Sequence, residues 1–565
     1  MRGQSTDSLT LTDGCASHNL GQLETEGRNG LTPQQATKIA WLLLALIVLT
    51  TAGLRVRLLP ISLERDEGEY AYIAQLILQG EIPFTQAHTM KYPGVPYVYA
   101  AFLAVFGQTD VAIHLGLMLI NALSVVLIFL LGKRLFNPVI GLMAASSFAF
   151  LSLSRSTLGF TANAEHFVLL PLLGATLLLL LALEERRLLC LLASGFLYGV
   201  AVLMKQHAAV FAGFAGVYLL IQSLRRDGRS IQRLLSHLLI FSAAMVFPVA
   251  LLWLSLGIKG AFAPFWFWTF TYPRYYLSMS SWQGGRDSLF RMGGWQISSS
   301  IGLYSLALVG LAASILNRSL RPRCLFLLLF TGFSILSVCP GLHFRSHYFL
   351  LLAPAVSLLA AVASTALGQL CRRIAPPDRI AVLVTLVALI TDFGKQLPYF
   401  FLLSPDEITT LTYPTHFNAM KALGVYIRDH TQPEDRIAVL GSEPEVYFYA
   451  RRQAATKYIY TYPLMEPQRY SLQMQEEMIA EMEQCRPRYI ALVRFADSWF
   501  SCVDPDAPQL IMQWPLKFVA ANYRRVAVVD MVSPYRTDYL WGLEAASFKP
   551  HSDNFVVLYE RLADP

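Results

Sequence analysis

The chain has 565 residues, of which 55% are hydrophobic and only 15% are charged. Soluble domains carry about 25% charged residues, so this composition excludes an ordinary soluble protein and predicts a polytopic membrane protein with a smaller soluble part. The net charge of +7 would suit a nucleic-acid-binding protein. In a membrane protein, however, such an excess more often lies in cytoplasmic loops.

The first 38 residues are polar and poor in aromatic residues, which predicts a disordered cytoplasmic tail. They lack the basic start and short apolar segment of a signal peptide. Thr32, Pro33 and Gln35 then form the pattern of a helix start, with Thr as N-cap, Pro at the first helical position and Gln three residues later. We expect this helix to continue into the first membrane span.

A transmembrane helix needs about 20 mostly apolar residues. Runs that approach or exceed this length lie at 39–54, 111–132, 135–154, 167–183, 188–204, 208–224, 238–258, 295–317, 324–342, 348–371 and 380–391. The last run is short and ends at Asp392. We therefore predict a helical membrane domain over residues 39–396 with about 11 spans.

Lys and Arg concentrate in alternate short loops, and such residues mark the cytoplasmic side. Fourteen of them fall on one side: Lys133, Arg134, Arg186, Arg187, Arg225, Arg226, Arg229, Arg233, Arg318, Arg321, Arg323, Arg372, Arg373 and Arg379. This asymmetry explains the net charge without a nucleic-acid partner. It predicts a multi-pass protein of the cytoplasmic membrane with a cytoplasmic N-terminus, a long first outer loop at 59–110 and an extracytoplasmic C-terminal region.

The C-terminal region, residues 397–565, has the pattern of a soluble α/β domain. Strand-like runs at 436–440, 489–493, 526–532 and 555–559 alternate with helical stretches at 417–430, 468–484 and 509–522. Gly441 stands alone without a Gly-rich phosphate loop, so the pattern does not indicate a nucleotide site. We expect this domain to cover the membrane site or to help hold an acceptor. If the domain is exported, Cys485 and Cys502 could form a disulfide.

The first outer loop is unusually rich in ionisable residues. Asp66, Glu67 and Glu69 fall within four positions, and His88 and Lys91 follow in the same loop. Ionisable groups near membrane spans are costly and tend to mark functional sites. The simpler alternative is that Asp66 and Glu67 only cap a helix within the loop.

Three further polar segments are expected at the same face. They contain Asn163 and Glu165, then Lys205, and then Arg345, His347 and Tyr348. The carboxylates of Asp66, Glu67 and Glu165 are suited to deprotonating an acceptor hydroxyl or binding a metal. The cations Lys91, Lys205 and Arg345, with His347, are suited to neutralising a phosphate, although Arg345 could equally snorkel towards lipid headgroups.

Neighbouring side chains complete the predicted site. The candidates for substrate binding are Tyr70, Tyr92, Asn163 and Tyr348. The pattern leaves a divalent metal open, with Glu67, His88 and His166 as candidate ligands, but both histidines are also typical of buried structural positions. Tyr272, Tyr275 and Tyr276 favour an interfacial aromatic belt, with sugar stacking as the alternative. Together these residues indicate an enzyme whose donor has a phosphate at the bilayer surface and a lipid tail within it.

Several of these segments resemble one enzyme family. RDEGEYAY and MKYPGVPYVYA in the first loop, TANAEHF, LMKQHAAVF, HFRSHYFLLLAP and the C-terminal PEDRIAVLGSEPEVYFYA are similar to features of the GT-C glycosyltransferases. The similarity is to the branch that contains the protein O-mannosyltransferases and the bacterial aminoarabinose transferases. It implies an integral membrane enzyme that takes a sugar from a polyprenyl-phosphate donor with inversion at the anomeric carbon.

The resemblance also assigns roles to single residues. Asp66 falls on the family's presumed base or metal-associated carboxylate, Lys91 on the lysine near the donor phosphate, and Glu165 on a second-loop acid. Tyr92 replaces a proline of the family's Lys-Pro-Pro motif. Met90 stands where the aminoarabinose transferases have Glu, which argues against aminoarabinose as the sugar.

The predicted function is therefore transfer of a hexosyl or pentosyl group to a cell-envelope glycan, lipid or protein on the outer face. The main alternative is a transporter or flippase of lipid-linked glycan. Such a protein would place charges through the depth of the bundle and often shows repeat symmetry. A non-catalytic assembly or sensor protein, with the C-terminal domain as a binding module, is a third class.

Overall fold

The computed structural model describes residues 32–226, 231–317, 320–413, 416–499 and 509–562. Helix α1 spans Pro33–Arg57. The Thr32 hydroxyl accepts a hydrogen bond from the Gln35 N–H at 3.2 Å, and the Thr32 N–H donates to Gln35 Oε1 at 2.8 Å. This capping box confirms the predicted helix start. It also corrects the predicted tail boundary, because residues 33–38 belong to the first helix; residues 1–31 lie outside the described residues.

The membrane part is a bundle of helices joined mostly by short turns. After α1 these are α2 (Arg65–Leu78), α3 (Gly94–Phe106), α4 (Asp110–Leu135), α5 (Pro138–Leu151), α6 (Ala164–Glu185), α7 (Leu188–Met204), α8 (Ala209–Arg226), α9 (Ile231–Ile258), α10 (Phe262–Trp266), α11 (Tyr272–Ser278), α12 (Trp282–Ser299), α13 (Ile301–Leu316), α14 (Arg321–Val338), α15 (Ala353–Leu370) and α16 (Pro377–Lys395). A π-helical turn, Phe267–Thr271, joins α10 to α11.

The predicted apolar runs coincide with these helices over most of their length, and the multi-pass architecture is confirmed. Within the described ranges, seven helices are long and apolar enough to cross a membrane, or eight if one bent pair is a single span. The count of about 11 spans is not reached, because α5 and α7 have only 14 and 17 residues and α16 carries charged residues near both ends.

The predicted run at 295–317 is not one helix. Helices α12 and α13 meet at Ser300 with a bend of 100°. The Asp392 carboxylate on α16 accepts hydrogen bonds from the N–H groups of Gly302 at 2.8 Å and Leu303 at 2.9 Å. These N–H groups have no partner within their own helix, so Asp392 caps the new helix. This contact explains the charge at the end of the eleventh run.

Three of the basic loops meet at the end of the bundle far from the acidic loop. Arg134 Nε lies 2.7 Å from Glu184 Oε2, and Arg323 Nε donates to the Leu135 carbonyl at 2.8 Å. Helix α6 has Glu165 in its first turn and ends at Glu185. Its 22 residues separate the two ends by roughly 33 Å. The basic and acidic segments therefore occupy opposite ends of the bundle.

The C-terminal region forms an α/β domain, as predicted. Its helices are α17 (Pro405–Thr412), α18 (Phe417–Asp429), α19 (Glu445–Ala450), α20 (Tyr462–Met465), α21 (Ser471–Cys485), α22 (Leu510–Asn522) and α23 (Leu543–Ser547). Its strands are β1 (Arg436–Leu440), β2 (Gln453–Ala454), β3 (Tyr489–Arg494), β4 (Tyr523–Ser533), β5 (Arg536–Trp541) and β6 (Phe555–Arg561). The sheet order is β2-β1-β3-β6-β4-β5, parallel from β2 to β3 and antiparallel from β3 to β5. Cys502 lies outside the described residues, and so does its proposed disulfide.

The C-terminal domain shares a hydrophobic core with the first outer loop. The Tyr72 and Tyr447 rings lie 5.1 Å apart, and the Tyr72 hydroxyl accepts from the Ala454 N–H at 2.7 Å. A Cβ atom added at Gly68 would lie 2.6 Å from the backbone N of Glu445. Only glycine permits this approach of α2 to α19, so the C-terminal domain fixes the position of α2.

The Asp392 cap gives a test of the bent pair. Asp392→Ala leaves two buried N–H groups without an acceptor, and we expect a loss of about 1–2 kcal/mol in the free energy of unfolding. The measurement is the thermal unfolding midpoint in detergent. Thr391→Ala, at the exposed neighbouring position, is the control, and equal midpoints for the two variants would contradict the capping role.

Candidate active site

A cavity of about 1380 Å³ opens between the first outer loop, the bundle and the C-terminal domain. The predicted site residues in its wall are Asp66, Tyr70, His88, Lys91, Lys205, Arg345, His347 and Tyr348. The predicted residues outside its wall are Glu67, Tyr92, Asn163, Glu165 and His166. The fold thus brings the first loop together with segments more than 100 and more than 250 residues away in sequence.

Asp66 stands in the first turn of α2, facing the cavity. Its Oδ1 lies 2.8 Å from Lys91 Nζ, which also contacts Glu69 Oε2 at 2.6 Å. The Lys91 ammonium lies 4.5 Å from the centre of the Tyr70 ring. Asp66 and Glu69 are three residues apart on one helix, so both project towards the same cation. Glu69 was missing from the predicted site, and this helical spacing was the signal that could have identified it.

These ion pairs decide the charge state of the loop. Burial opposes ionisation of Asp66, but the Lys91 ammonium outweighs it and holds the pKa of that carboxyl below its usual range. Burial also opposes the charge on Lys91, yet Asp66 and Glu69 raise its pKa well above the ordinary value. For Glu64, burial and then the charges of Asp66 and Glu67 raise the pKa far above normal. At neutral pH Asp66 is therefore an ionised carboxylate beside a neutral Glu64.

Glu67 has a different environment from Asp66. It is fully buried, its Oε2 accepts from the Glu64 N–H at 3.1 Å, and its Oε1 lies 3.0 Å from His114 Nε2 and accepts from the Ala162 N–H at 2.5 Å. These contacts cap α2 and tie it to the loop before α6. The helix-capping alternative thus applies to Glu67 and not to Asp66, and Glu67 has no access to a substrate in the cavity.

Lys205 stands at the break between α7 and α8, where its φ of −159° ends the helix. Its ammonium pairs with the Glu165 carboxylate and lies 4.0 Å from the centre of the Tyr348 ring. Glu165 itself is fully buried behind Lys205. The structure therefore makes Lys205 the group that faces the cavity and Glu165 the group that holds it.

The segment before α15 supplies one further cation, Arg345. Arg345 is exposed to the cavity, and His347 and Tyr348 lie beside it in the wall. Leu342 and Phe344 have φ angles of 55° and 45°. Non-glycine residues rarely adopt this conformation, and such strain clusters at functional sites.

The remaining predictions do not converge on the cavity. Tyr92 packs against Phe265, with ring centres 5.7 Å apart. The Asn163 amide donates to Thr161 Oγ1 at 2.7 Å beneath the surface. In the part of the chain that the structure describes, no three His, Cys, Asp or Glu side chains form a group that could hold a metal ion. The candidate ligands Glu67, His88 and His166 therefore do not form such a group.

The C-terminal domain was expected to cover the membrane site, but none of its residues was predicted to line the cavity. Tyr458, Tyr460, Tyr462, Glu466 and Asp497 do so. Arg65, next to Asp66, donates to the Ser442 carbonyl at 2.6 Å and pairs with Glu443 at 3.2 Å. The five residues of this domain that line the cavity carry no local motif. Only the docking of the two domains brings them to the site.

The aromatic segment at 266–276 is only partly an interfacial belt. Trp266 is exposed, but Trp268 and Tyr272 are buried, and the Tyr272 hydroxyl donates to the Glu466 carboxylate. The belt interpretation is wrong for Tyr272, because the C-terminal domain covers it.

Comparison with known proteins identifies one family model and several solved structures that are similar to this chain. Residues 88–253 match the family model described as dolichyl-phosphate-mannose-protein mannosyltransferase. No curated protein matches the sequence. Among solved structures, ArnT from Cupriavidus metallidurans in the apo state has a TM-score of 0.56 at 14% identity, covering 93% of this chain and 98% of that chain. The same protein bound to undecaprenyl phosphate gives a TM-score of 0.53 at 15% identity with the same coverage.

A second similar structure comes from an archaeon. The Archaeoglobus fulgidus oligosaccharyltransferase tethered to an acceptor peptide has a TM-score of 0.52 at 13% identity, covering 89% of this chain and 74% of that chain. These similarities confirm the predicted helical bundle with a C-terminal α/β domain. The family-model match covers residues 88–253, and the solved structures share the fold of this chain.

Proposed function

We propose that the protein is an inverting glycosyltransferase that moves a sugar from a polyprenyl-phosphate donor to a hydroxyl-bearing acceptor. The observation that carries this proposal is the cavity in which the ionised Asp66 faces Lys91, Lys205 and Arg345. A carboxylate can take up the proton of an acceptor hydroxyl, and a group of cations can neutralise the charge of a phosphate. The matching family model is that of dolichyl-phosphate-mannose-protein mannosyltransferase, and the similar ArnT structure contains undecaprenyl phosphate; both support the same donor class.

The proposed reaction is a single displacement. The acceptor oxygen attacks the anomeric carbon while the bond between that carbon and the phosphate oxygen breaks, and the acceptor proton passes to Asp66. The polyprenyl phosphate leaves with the bonding electron pair, and its negative charge is stabilised by Lys91, Lys205 and Arg345. Fixed cations of this kind act where charge develops in the transition state.

The two lysines have different resting partners. Lys91 is held by Asp66 and Glu69, whereas Lys205 is held by Glu165 behind the cavity wall. A bound phosphate would share the Lys91 ammonium with Asp66, which weakens the ion pair and makes Asp66 a stronger base when the donor is present. Glu165 acts through Lys205 and is a positioning residue. Tyr70 and Tyr348, which lie under the two ammonium groups, are expected to contact the donor.

The flippase alternative has less support. In the described residues, the charged groups of the cavity lie at one end of the bundle, and the buried Arg55 and Asp392 are bonded to backbone groups that hold helices in place. A path for a charged headgroup through the membrane would need polar groups at intermediate depth.

We also propose that the cavity faces the outside of the cytoplasmic membrane and that the N-terminus is cytoplasmic. The support is the separation of the basic loops from the cavity along α6.

Asp66→Asn tests the base. We expect the rate of sugar transfer to fall by roughly 10²–10⁴-fold, because the amide cannot accept the acceptor proton. The measurement is turnover of a radiolabelled polyprenyl-phosphate sugar by purified protein. Glu81→Gln, in the same loop but outside the cavity wall, is the control. Near-normal turnover by well-folded Asp66→Asn protein would exclude Asp66 as the base.

Arg345→Ala tests the phosphate site. We expect affinity for undecaprenyl phosphate to fall roughly tenfold or more, because a charge-assisted hydrogen bond is lost. Binding is measured by tryptophan fluorescence in detergent. Arg286→Ala, an exposed arginine of α12 outside the cavity wall, should bind like wild type. Equal affinities for both variants would remove Arg345 from the phosphate site.

Cysteine labelling tests the orientation. In intact cells a membrane-impermeant maleimide should label Glu544→Cys on α23 above the wild-type background, because the C-terminal domain is expected outside. It should label Arg225→Cys at the end of α8 only after lysis, since both positions are exposed on the protein but lie at opposite ends. The reverse pattern would invert the proposed topology.

A further inference from the structure

One part of the cavity is built from aromatic rings around a buried acid. The His88 ring stacks on Trp268 at 4.6 Å and meets the edge of Tyr458 at 4.9 Å, and Trp268 lies 5.1 Å from Tyr272. Glu466 accepts a hydrogen bond from the Tyr272 hydroxyl. All five residues line the cavity. We call this part the aromatic compartment; three chain segments build it, namely the first loop, the π-helical turn with α11, and the C-terminal domain.

The aromatic compartment contains polar atoms that lack partners. Thr269, in the π-helical turn, is 5% exposed and lines the cavity, and its Oγ1 has no hydrogen-bond partner among the described residues. His88 Nδ1 also has no hydrogen-bond partner among the described residues. Leaving a buried polar group unpaired costs about 1–3 kcal/mol. Such groups on a cavity wall point to a ligand that completes their hydrogen bonds.

The titratable groups of the compartment are neutral at pH 7. Burial raises the pKa of Glu466 to about 8. Burial, and then the charge of Lys457, lowers the pKa of His88 to about 3. A neutral carboxyl group both donates and accepts hydrogen bonds, and a neutral imidazole does the same through its two nitrogens.

The chemistry of the aromatic compartment indicates which part of the donor it binds: the phosphate, the polyprenyl tail or the sugar. A phosphate would need positive charge, which the aromatic compartment lacks. A polyprenyl tail would bury Thr269 and Glu466 against hydrocarbon and leave their polar atoms unpaired. A sugar ring fits both features, since its C–H faces pack on aromatic rings and its hydroxyls donate and accept hydrogen bonds at the rim.

The compartment also lies at the right distance from the phosphate site. His88 precedes Lys91 by three residues, which span at most about 10 Å. A donor phosphate at Lys91 therefore carries its sugar within reach of His88 and the rings around it.

We propose that the aromatic compartment binds the sugar of the donor, and that Glu466 and Thr269 recognise its hydroxyl groups. This inference rests on the proposed function of the cavity. It makes the C-terminal domain part of the donor site and assigns sugar selection to residues outside the segment that matches the family model.

The test compares donors with and without a sugar. The probes are undecaprenyl phosphate and undecaprenyl phosphate carrying mannose, glucose or galactose, and the measured quantity is the Kd of each for purified full-length protein. Glu466→Met keeps a side chain of similar length but removes both hydrogen-bonding oxygens, and Thr269→Val replaces only the hydroxyl group. Glu476→Gln, an exposed acid of α21 in the same domain, is the matched control.

Wild-type protein should bind one of the sugar-bearing lipids more tightly than the sugar-free lipid. Glu466→Met and Thr269→Val should each weaken that binding roughly tenfold and change the Kd for undecaprenyl phosphate by less than twofold. Glu476→Gln should change neither value.

Three outcomes would overturn the inference. The first is that wild-type protein binds undecaprenyl phosphate but gains nothing from any of the three sugars. The second is that both variants keep the wild-type preference for the sugar-bearing lipid. The third is that the variants keep donor binding and lose only affinity for the acceptor, which would assign the compartment to the acceptor. Failure of wild-type protein to bind even undecaprenyl phosphate would instead contradict the proposed function.

Discussion

The site depends on one cation shared by two carboxylates. Lys91 joins the later part of the first outer loop to Asp66 and Glu69 at the start of α2, and its ammonium group lies over the Tyr70 ring. Without this cation, two acids on one helix face would repel each other, and burial would favour their protonation. The ion pairs therefore set the fold of the loop and the charge of Asp66 together. Donor binding, base strength and loop shape are coupled through the same ammonium group.

The sequence predicted the parts of the structure that have local signals. Apolar length located the helices, the Thr32 capping pattern located the first helix start, and alternating runs located four strands of the C-terminal sheet. The cavity cations were also predicted, since charge at the end of an apolar run is conspicuous. Glu67 and Glu165 were predicted to face a substrate but lie behind the cavity wall, because a sequence shows that an acid is near a span but not which way it points.

The residues that the C-terminal domain adds to the cavity had no local signal in the sequence. Tyr458 and Glu466 lie more than 360 residues from His88, and nothing in their neighbourhood distinguishes them from ordinary residues of an α/β domain. Their position follows from docking, which depends on the shape of two surfaces. The break at Ser300 was unpredictable for a similar reason, because the cap is supplied by Asp392 from another helix.

The close approach of Gly68 to α19 limits whether the C-terminal domain can be removed or exchanged. The backbone of α2 meets that of the C-terminal domain without an intervening side chain, so the two parts fit only each other. A truncated protein that ends after the last membrane helix would expose Tyr72, Ile73 and the rest of a shared core. Exchange of this domain between relatives would require α2 and its loop to be exchanged with it, so the two segments are expected to diversify as one unit.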